Sequence, residues 1–302
     1  MIVIAALLLV GVIAFATDKP DSSLEKQLEA LAAQHQGKVA FFAKDLKTGQ
    51  TAAIDADTPV QTASVIKMSM MLETMYEVKA GKHHLDEKLE LTKENQVPGS
   101  GILTMLDPGL QLTLKDVMTF MIVVSDNTAT NMMIDAIGTG PVNKRMEEMG
   151  LKNTYLYKKV YKPATGPMPP DQKKFGLGKT TAREMAELLE SIERCDLGDK
   201  TLCDTMVGIM KNQQDRDKIP RYLEKGDTTE EISAIANKTG SLDHVRNDVG
   251  ILYAKNGPII ISAFTYDNKD TSWTVDNQAE VLIAKMAKAV VDAWGGMTAS
   301  KQ

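Results

Sequence analysis

The sequence predicts an α+β fold, in which a five-stranded antiparallel sheet is covered by terminal helices and joined to an all-α lobe. Segments typical of strands cluster near both ends of the chain, at residues 39–54 and 232–264, and the stretch between them carries apolar residues at helical spacing. A sheet built from both ends of one chain encloses that helical stretch as an insertion. We therefore expect an α/β lobe from about residues 22–61 and 219–296, and an all-α lobe over about 62–218.

The first part of the α/β lobe predicts one helix and then a hairpin. Ser22 or Ser23 can cap a helix that runs to about Gln36, because the leucines that follow recur on one face. Residues 39–43 have the composition of a strand, and residues 51–54 return as a second strand after a glycine-containing turn. These two strands supply the first pair of the expected sheet.

The all-α lobe is predicted from five helical segments, over residues 65–79, 114–123, 128–137, 181–193 and 202–212. The second segment is preceded by a pattern like a capping box, with Thr113 before its first turn and Asp116 three residues later. Such a box satisfies backbone N–H groups that have no partner inside the helix. We therefore expect that helix to begin at residue 114.

The C-terminal part of the chain predicts three more strands, over residues 232–239, 248–254 and 258–264. An Asn-Gly dipeptide between the last two is a strong signal for a tight hairpin turn. A closing helix over residues 279–294 carries an apolar stripe at helical spacing, which indicates burial against the sheet. These elements complete the five strands.

Composition excludes several classes of protein. The 302 residues carry 35 basic and 40 acidic side chains, a formal net charge of −5, whereas a dedicated nucleic-acid binder normally has a basic footprint. Two cysteines cannot build a disulfide framework or a four-cysteine zinc site, and the four histidines show no metal-ligand spacing. We therefore expect no nucleic-acid partner, no metal and no cofactor.

The first residues predict export. An uncharged apolar run ends in a small-x-small sequence, which is typical of a secretory signal peptide over residues 1–16. No lysine or arginine precedes the run, so an uncleaved anchor is the alternative. Cleavage leaves residues 17–302 as a single domain in the periplasm or outside the cell. In that oxidising compartment Cys195 and Cys203 either form a disulfide between two helix ends or remain free thiols.

The motif Ser64-Val65-Ile66-Lys67 carries the chemistry of a serine nucleophile. A hydroxyl is a weak nucleophile until a base removes its proton, and a lysine can be that base where burial or neighbouring cations lower its pKa. Lys67 follows Ser64 by about one helical turn, and a helix start offers unpaired backbone N–H groups to an oxyanion. The motif alone is weak, since Ser23 and Lys26 match it within the first predicted helix.

Two further motifs strengthen this interpretation. Ser125-Asp126-Asn127 lies at a break between two predicted helices, and Lys238-Thr239-Gly240-Ser241 lies at the end of a predicted strand. The order Ser-x-x-Lys, Ser-Asp-Asn, Lys-Thr-Gly is the signature set of class A β-lactamases and penicillin-binding proteins. All three in this order, on the expected elements, occur by chance far more rarely than any one of them.

The chain therefore resembles a class A β-lactamase or the related penicillin-binding-protein-like serine hydrolases. The resemblance covers nearly the whole chain from the first helix to Trp294, and it includes residues 97–101, 180–185 and 245–250. It implies the β-lactamase/transpeptidase-like fold. It also implies a serine hydrolase that opens β-lactams through a covalent acyl intermediate on Ser64.

The resemblance implies a role for each matching residue. Ser64 would attack the carbonyl with Lys67 as base, the backbone N–H groups of Ser64 and Ser241 would form the oxyanion hole, and Ser125 would relay a proton to the leaving nitrogen. The residues expected to bind substrate are Asn127, Lys238, Thr239, Gly240 and Arg246. Asp126 is expected to be structural. Arg246 matches the family only loosely in spacing, and a surface pair with Asp243 or Asp248 is its alternative role.

One departure concerns the second half of the reaction. The family hydrolyses its acyl-enzyme with a glutamate in a long loop after Ser-Asp-Asn, but residues 149–183 contain no glutamate. Asp171 is the single carboxylate of that segment, beside eight basic side chains, and its flanks do not resemble the family motif. We interpret it as a solvated loop residue and predict slow deacylation, because a positioned base contributes about 10²–10⁴-fold.

Two alternatives to a β-lactamase are open at this point. The missing glutamate favours a D-alanyl-D-alanine carboxypeptidase, a penicillin-binding protein that would use the same residues on peptidoglycan stem peptides. A β-lactam-binding sensor that stays acylated is the other alternative. The compact chain and the close motif match favour the β-lactamase. The expected partner is a small β-lactam or a stem peptide, and the protein is expected to be a monomer.

Overall fold

A computed structural model describes residues 18–223 and 232–295 of the chain, with side chains from residue 234 onward in the second range. The predicted signal peptide over residues 1–16 lies outside these ranges and stays a prediction. Within them, no helix combines the length and the apolar character that crossing a membrane requires.

The predicted helices and strands are present, with bounds that differ by a few residues, and several short elements are additional. The strands of the described residues are β1 (Lys19–Pro20), β2 (Lys38–Asp45), β3 (Gln50–Ile54), β4 (Val60–Gln61), β5 (Lys88–Glu90), β6 (Gln111–Thr113), β7 (Tyr155–Leu156), β8 (Gly178–Thr180), β9 (Ile232–Leu242), β10 (Val245–Ala254) and β11 (Gly257–Tyr266). The α-helices are α1 (Ser22–Ala32), α2 (Lys67–Lys79), α3 (Leu114–Val123), α4 (Asn127–Ile137), α5 (Thr139–Glu148), α6 (Gln172–Phe175), α7 (Ala182–Arg194), α8 (Lys200–Lys211) and α9 (Gln278–Trp294). Short 3-10 turns cover Ala63–Ile66, Leu103–Met105 and Ile219–Tyr222.

The main sheet confirms the predicted fold and extends it by one strand. Its order is β1-β3-β2-β11-β10-β9, and the five strands from β3 to β9 pair antiparallel, with Phe41 opposite both Ile54 and Ala263. β1 is a sixth strand that the sequence analysis missed, and it pairs parallel to β3 through Lys19 and Gln50. Two residues are too few to show an alternating pattern, and the proline suits an edge because it cannot donate to a ladder.

Side chains of the sheet alternate between two hydrophobic cores on opposite faces. Phe41 packs in one core with Leu28 of α1 and Ile283 of α9, so the terminal helices cover that face. Phe42 belongs to the other core, which also holds the buried methionines of α2, such as Met71. The helical insertion therefore packs against the second face of the sheet.

The N-terminal helix is capped and ended differently from the prediction. Asp21 caps α1 by accepting from the N–H of Ser23, so Ser22 and Ser23 lie inside the first turn. The second oxygen of the same carboxylate accepts from the indole N–H of Trp294, a contact that no local pattern reveals. The helix ends at Ala32, earlier than expected.

Two other local predictions have clear outcomes. The capping box is present at α3, where the side chains of Thr113 and Asp116 each accept from the other's backbone N–H. Cys195 at the end of α7 forms a disulfide with Cys203 of α8, which decides between the two alternatives. Helix α5 was missed, because polar residues and Pro141 interrupt its apolar period.

Candidate active site

Ser64 lies in the 3-10 turn Ala63–Ile66, which leads directly into α2 at Lys67. The preceding residue, Ala63, has φ of +45°. That left-handed backbone costs a non-glycine residue about 1–3 kcal/mol, and such residues are enriched at active sites. The turn places Ser64 in the wall of a cavity of about 820 Å³.

Lys67 is the first residue of α2, and its side chain is fully buried. Its Nζ donates to Ser125 O at 2.7 Å, to Ser125 Oγ at 3.2 Å and to Asn127 Oδ1 at 3.2 Å. Burial, together with the nearby charge of Lys238, holds the pKa of the Lys67 ammonium well below its usual range, against the opposing effect of Asp126. A lysine in that state can accept a proton from a nearby hydroxyl.

The Ser-Asp-Asn segment joins α3 to α4 through a left-handed residue. Ser125 has φ of +55°, and its Oγ lies 3.2 Å from Lys67 Nζ and 3.0 Å from Lys238 Nζ. Asp126 has the structural role that the sequence predicts. One of its oxygens accepts from the N–H of Ala129 in α4, and the other accepts from two N–H groups at the start of the second 3-10 turn. This anchoring holds Ser125 between the two lysines.

Asn127 opens α4 and lines the cavity. Its backbone N–H donates to Ser100 O at 3.0 Å, its Nδ2 donates to Pro98 O at 3.2 Å, and its Oδ1 accepts from Lys67. Gly99 permits this close approach, because a Cβ there would lie 2.6 Å from Asn127 Nδ2 and because its φ is +92°. The loop before α4 therefore fixes the amide at the edge of the cavity.

Strand β9 runs against the turn that holds Ser64. A Cβ at Gly240 would lie 2.7 Å from Thr62 O and 3.0 Å from Ser64 N, so the two backbones touch where a larger residue does not fit. Asn247 on β10 fastens the same contact, since its Nδ2 donates to Thr62 O at 3.1 Å. As a result Ser241 and Ser64 line the same cavity, as an oxyanion hole built from both residues requires.

Lys238 is fully buried on β9, just before Gly240, where the strand touches the turn that holds Ser64. Its Nζ donates to Ser125 Oγ at 3.0 Å and to Thr239 O at 2.6 Å. Burial lowers the pKa of Lys238 to about 7, against the raising effect of Asp215 and Asp248. Around neutral pH the lysine therefore changes its charge.

Ser64 lies where two cavities meet. The larger has a volume of about 820 Å³ and extends past Asn127 to residues 158–161. The smaller has a volume of about 380 Å³ and extends past Ser125 to residues 213–215. The residues that line both cavities are Ser64, Ser100, Ser241 and Trp273. A substrate whose carbonyl reaches Ser64 therefore has room on both sides of the reacting bond.

Arg246 is a correction to the sequence prediction. It is fully buried, and its guanidinium donates to Val245 O at 3.0 Å and to Ser272 O at 2.7 Å rather than hydrogen-bonding to a residue that lines both cavities, so it does not take the expected position at a substrate carboxylate. It is also not paired on the surface with Asp243 or Asp248. Its Nε lies 3.0 Å from Glu280 Oε1, and its guanidinium stacks at 4.4 Å on the ring of Trp273. Arg246 therefore supports the cavity wall from behind, through that ring.

Asp171 is a loop residue whose side chain is 32% exposed, as expected, and its carboxylate is in addition bonded within the loop. Its carboxylate accepts from Tyr157 Oη at 2.7 Å and from Lys179 Nζ at 2.8 Å. It lines neither cavity, so it is not placed to activate a water beside the nucleophile. The carboxylate that lines the larger cavity, among the described residues, is Asp243. For metals, the described ranges contain no suitable group of three or more His, Cys, Asp or Glu side chains.

Sequence reasoning missed several residues that shape the site. Asn247 lies in a segment that carried the family resemblance, but its contact with the nucleophile turn depends on strand pairing. Trp273 lines both cavities and is 67% exposed, yet it comes from a loop without any local pattern. Val160 lies in the wall of the larger cavity, inside the long loop where a glutamate was sought.

The fold and the site together define a class A β-lactamase-like protein. The chain belongs to the β-lactamase enzyme family, whose sequence profile matches residues 23–294. A curated relative, β-lactamase 3 of Bacillus cereus, is 25% identical over 272 residues, which cover 87% of this chain and 78% of that protein.

Solved structures show the same fold. A β-lactamase from Sphaerobacter thermophilus is 28% identical with a TM-score of 0.80, covering 92% of this chain and 99% of that one. PBP-A is 25% identical with a TM-score of 0.77, covering 93% of this chain and 98% of that one. A variant of PBP-A has been solved as an acyl-enzyme complex with penicillin G.

Proposed function

We propose that this protein is a serine hydrolase that β-lactams acylate at Ser64 and that releases the acyl group slowly. The observation that carries the proposal is the convergence of Lys67 and Lys238 on the Ser125 hydroxyl, in the wall of a cavity that Ser64 also lines. Membership of the β-lactamase enzyme family supports the reaction class.

In the acylation step Ser64 Oγ attacks the lactam carbonyl, and its proton passes to neutral Lys67. The oxyanion accepts hydrogen bonds from the backbone N–H groups of Ser64 and Ser241, and removing one such donor costs about 3–4 kcal/mol in other enzymes. The lactam C–N bond then breaks. Ser125 gives its proton to the departing nitrogen and regains one from Lys67, which returns to its neutral form. One ester and one ring-opened amine result.

Groups on either side of Ser64 suit the two halves of the substrate. Thr239 lines the smaller cavity, and the Lys238 ammonium lies behind that wall, 3.0 Å from Ser125 Oγ, so together they can hold the carboxylate that β-lactams carry beside the ring nitrogen. Asn127, at the larger cavity, can hold the amide of the acyl side chain. The acyl portion would therefore occupy the larger cavity, and the leaving portion would occupy the smaller one.

Deacylation lacks its usual base. Water must attack the ester at Ser64, but Val160 lines the nearby wall and Asp171 is bonded to Tyr157 and Lys179. A positioned general base contributes about 10²–10⁴-fold, so its absence would make the acyl-enzyme accumulate. Lys67, bonded to Ser125, is one group that can take a proton from an attacking water.

A D-alanyl-D-alanine carboxypeptidase is the second candidate, favoured by the likeness to PBP-A. It would form the same ester from a stem peptide, with D-alanine as the leaving amine. A sensor would stop at the ester and keep it. Export to the periplasm or the exterior suits all of these functions and rests on the signal peptide predicted over residues 1–16.

One comparison separates the candidates: nitrocefin hydrolysis and D-alanine release from a stem peptide, measured on the same preparation. Slow nitrocefin turnover with no D-alanine release supports the β-lactam-directed enzyme. Faster release of D-alanine supports the carboxypeptidase. An acylated protein that turns over neither compound supports the sensor. Absence of acylation by every compound contradicts all three candidates.

A further inference from the structure

The acyl side of the site is walled by one short segment of the long loop. Residues 158–161 line the larger cavity together with Asn127, on the side where the acyl portion of a substrate would lie. Tyr161 is 64% exposed at the rim, and Lys158 is half-buried in the wall. This segment is therefore placed to contact substituents on the acyl portion of a substrate.

The segment is fixed to α4 rather than loosely placed. Asn131 holds Val160 by two bonds: its Oδ1 accepts from the Val160 N–H at 2.8 Å, and its Nδ2 donates to Val160 O at 3.1 Å. One turn further along α4, Asp135 pairs with Lys159. The backbone of Val160 and the side chain of Lys159 are thereby fixed to α4, and Lys158 precedes this pair directly.

The two adjacent lysines, Lys158 and Lys159, have different kinds of partner. Asp135 neutralises Lys159, whereas Lys158 Nζ donates to the backbone carbonyl of Lys162 at 3.0 Å. No carboxylate in the described parts of the chain pairs with Lys158. Asp243 also lines the cavity, but it lies in the exposed β9–β10 turn, where solvent screens its charge. Lys158 is thus a cavity cation with donor capacity left for an anion.

We propose that Lys158 binds a carboxylate carried by the acyl portion of the substrate. This inference rests on the proposed function, because it places that portion in the larger cavity. The recognised chemistry is a carboxylate close to the reacting carbonyl on its acyl side. It can come from a β-lactam with an anionic side chain, or from a stem peptide with an acidic residue before D-alanyl-D-alanine.

Three penicillins that differ in one substituent on the acyl side chain test the proposal. Carbenicillin, benzylpenicillin and ampicillin share a skeleton and carry a carboxylate, a hydrogen and an amine on the same side-chain carbon. We expect the second-order acylation rate to be highest for carbenicillin. In Lys158→Met the ratio of carbenicillin to benzylpenicillin should fall about tenfold, the effect of one charge-assisted hydrogen bond. Lys158→Arg should keep the ratio.

A matched control separates contact from the general field of the basic loop. Lys152 belongs to the same basic segment, but it is exposed and lies outside the cavity wall, so Lys152→Met should leave the ratio unchanged. A pair of acylated peptides with Glu or Gln before D-alanyl-D-alanine repeats the test on the second source. The proposal is supported if the protein prefers the anionic compound, either carbenicillin or the Glu peptide, and if Lys158→Met loses that preference. The compound that shows the preference tells whether the carboxylate belongs to a β-lactam or to a stem peptide.

Two results overturn the proposal. The ratio can be the same in the parent protein and in Lys158→Met, or it can fall equally in Lys152→Met, which would mean a long-range field. In both cases acylation itself persists, so the proposed function stands. If no compound acylates Ser64, the proposed function is wrong, and this inference fails with it.

Discussion

Lys67 and Lys238 meet at a single hydroxyl: their Nζ atoms lie 3.2 Å and 3.0 Å from Ser125 Oγ. Both side chains are fully buried, and the charge of Lys238 is one cause of the lowered pKa of Lys67. Two adjacent buried cations repel, so a neutral Lys67 beside a cationic Lys238 is the favoured arrangement. Lys67 can then exchange protons with Ser125 while Lys238 keeps its charge for a substrate carboxylate.

The pH dependence of acylation should be bell-shaped in kcat/KM. Lys238 has a pKa of about 7, so its cation, and with it the binding of the substrate carboxylate, is lost as the pH rises through that value. Lys67 is neutral above its lowered pKa, and it becomes protonated and inactive as a base when the pH falls through it. Stopped-flow acylation by nitrocefin as a function of pH follows the alkaline limb, centred at about 7 for Lys238, and the acid limb from Lys67 below it.

The variant Lys238→Arg tests whether the loss of kcat/KM at high pH comes from deprotonation of Lys238. A guanidinium stays charged throughout the measured range, so the alkaline limb should disappear while the acid limb remains. An alkaline limb that stays in place in this variant belongs to another group and contradicts the assignment.

Gly240→Ala should slow acylation by about 10²-fold, the typical cost of a misplacement of about 1 Å at a catalytic centre. The added Cβ would lie 2.7 Å from Thr62 O and 3.0 Å from Ser64 N, so β9 must move away from the nucleophile turn. Gly208→Ala is the control, since nothing lies within 4 Å of its Cβ in α8, and there alanine should raise the free energy of unfolding by about 1 kcal/mol. Equal acylation rates in both variants would show that the contact is unimportant.

Val160→Glu should increase the rate of deacylation by at least about 10²-fold, because it adds a carboxylate to the wall of the cavity that contains Ser64. The backbone there is held by Asn131, so the new side chain starts from a fixed position. Val160→Gln has nearly the same shape and cannot act as a base. Decay of the purified acyl-enzyme, followed by mass spectrometry, distinguishes them, and equal acceleration by both variants would indicate altered water access instead.

Asp248 should make the protein less stable as the pH rises towards neutrality. Burial raises its pKa to about 7, although Asn237 donates to both carboxylate oxygens, so the folded chain holds a proton that the unfolded chain releases near pH 4. The free energy of unfolding should therefore fall between about pH 4 and 7, by up to about 1.4 kcal/mol per pH unit from this group. Urea unfolding at several pH values measures the slope, which Asp248→Asn should flatten whatever its absolute stability. An identical slope in both proteins would contradict the assignment.

Features with local causes could be predicted from the sequence. Thr113 and Asp116 are three residues apart and cap α3, whose bounds match the prediction residue for residue. The hairpin between β10 and β11 lies where the Asn-Gly dipeptide predicts it, although Gly257 pairs with Ala254 and the two residues of the turn are Lys255 and Asn256.

Features that depend on residues distant in sequence could not be predicted in this way. Arg246 has the spacing of a substrate-binding residue, but Glu280 and Trp273 bury it, and neither is near it in sequence. Asp21 caps α1 partly because Trp294 holds its second oxygen. The motifs indicated which residues belong together, whereas the convergence of Lys67 and Lys238 on one hydroxyl depends on how β9 packs against the start of α2.

The central claim is that Ser64 is acylated by β-lactams and holds the acyl group. Intact-protein mass spectrometry after mixing with benzylpenicillin tests it most directly, with peptide mapping of the adduct. The account predicts one added benzylpenicillin per chain, located on Ser64, persisting after the excess compound is removed and absent from Ser64→Ala. No adduct together with no turnover, or an adduct that also forms on Ser64→Ala, would contradict it.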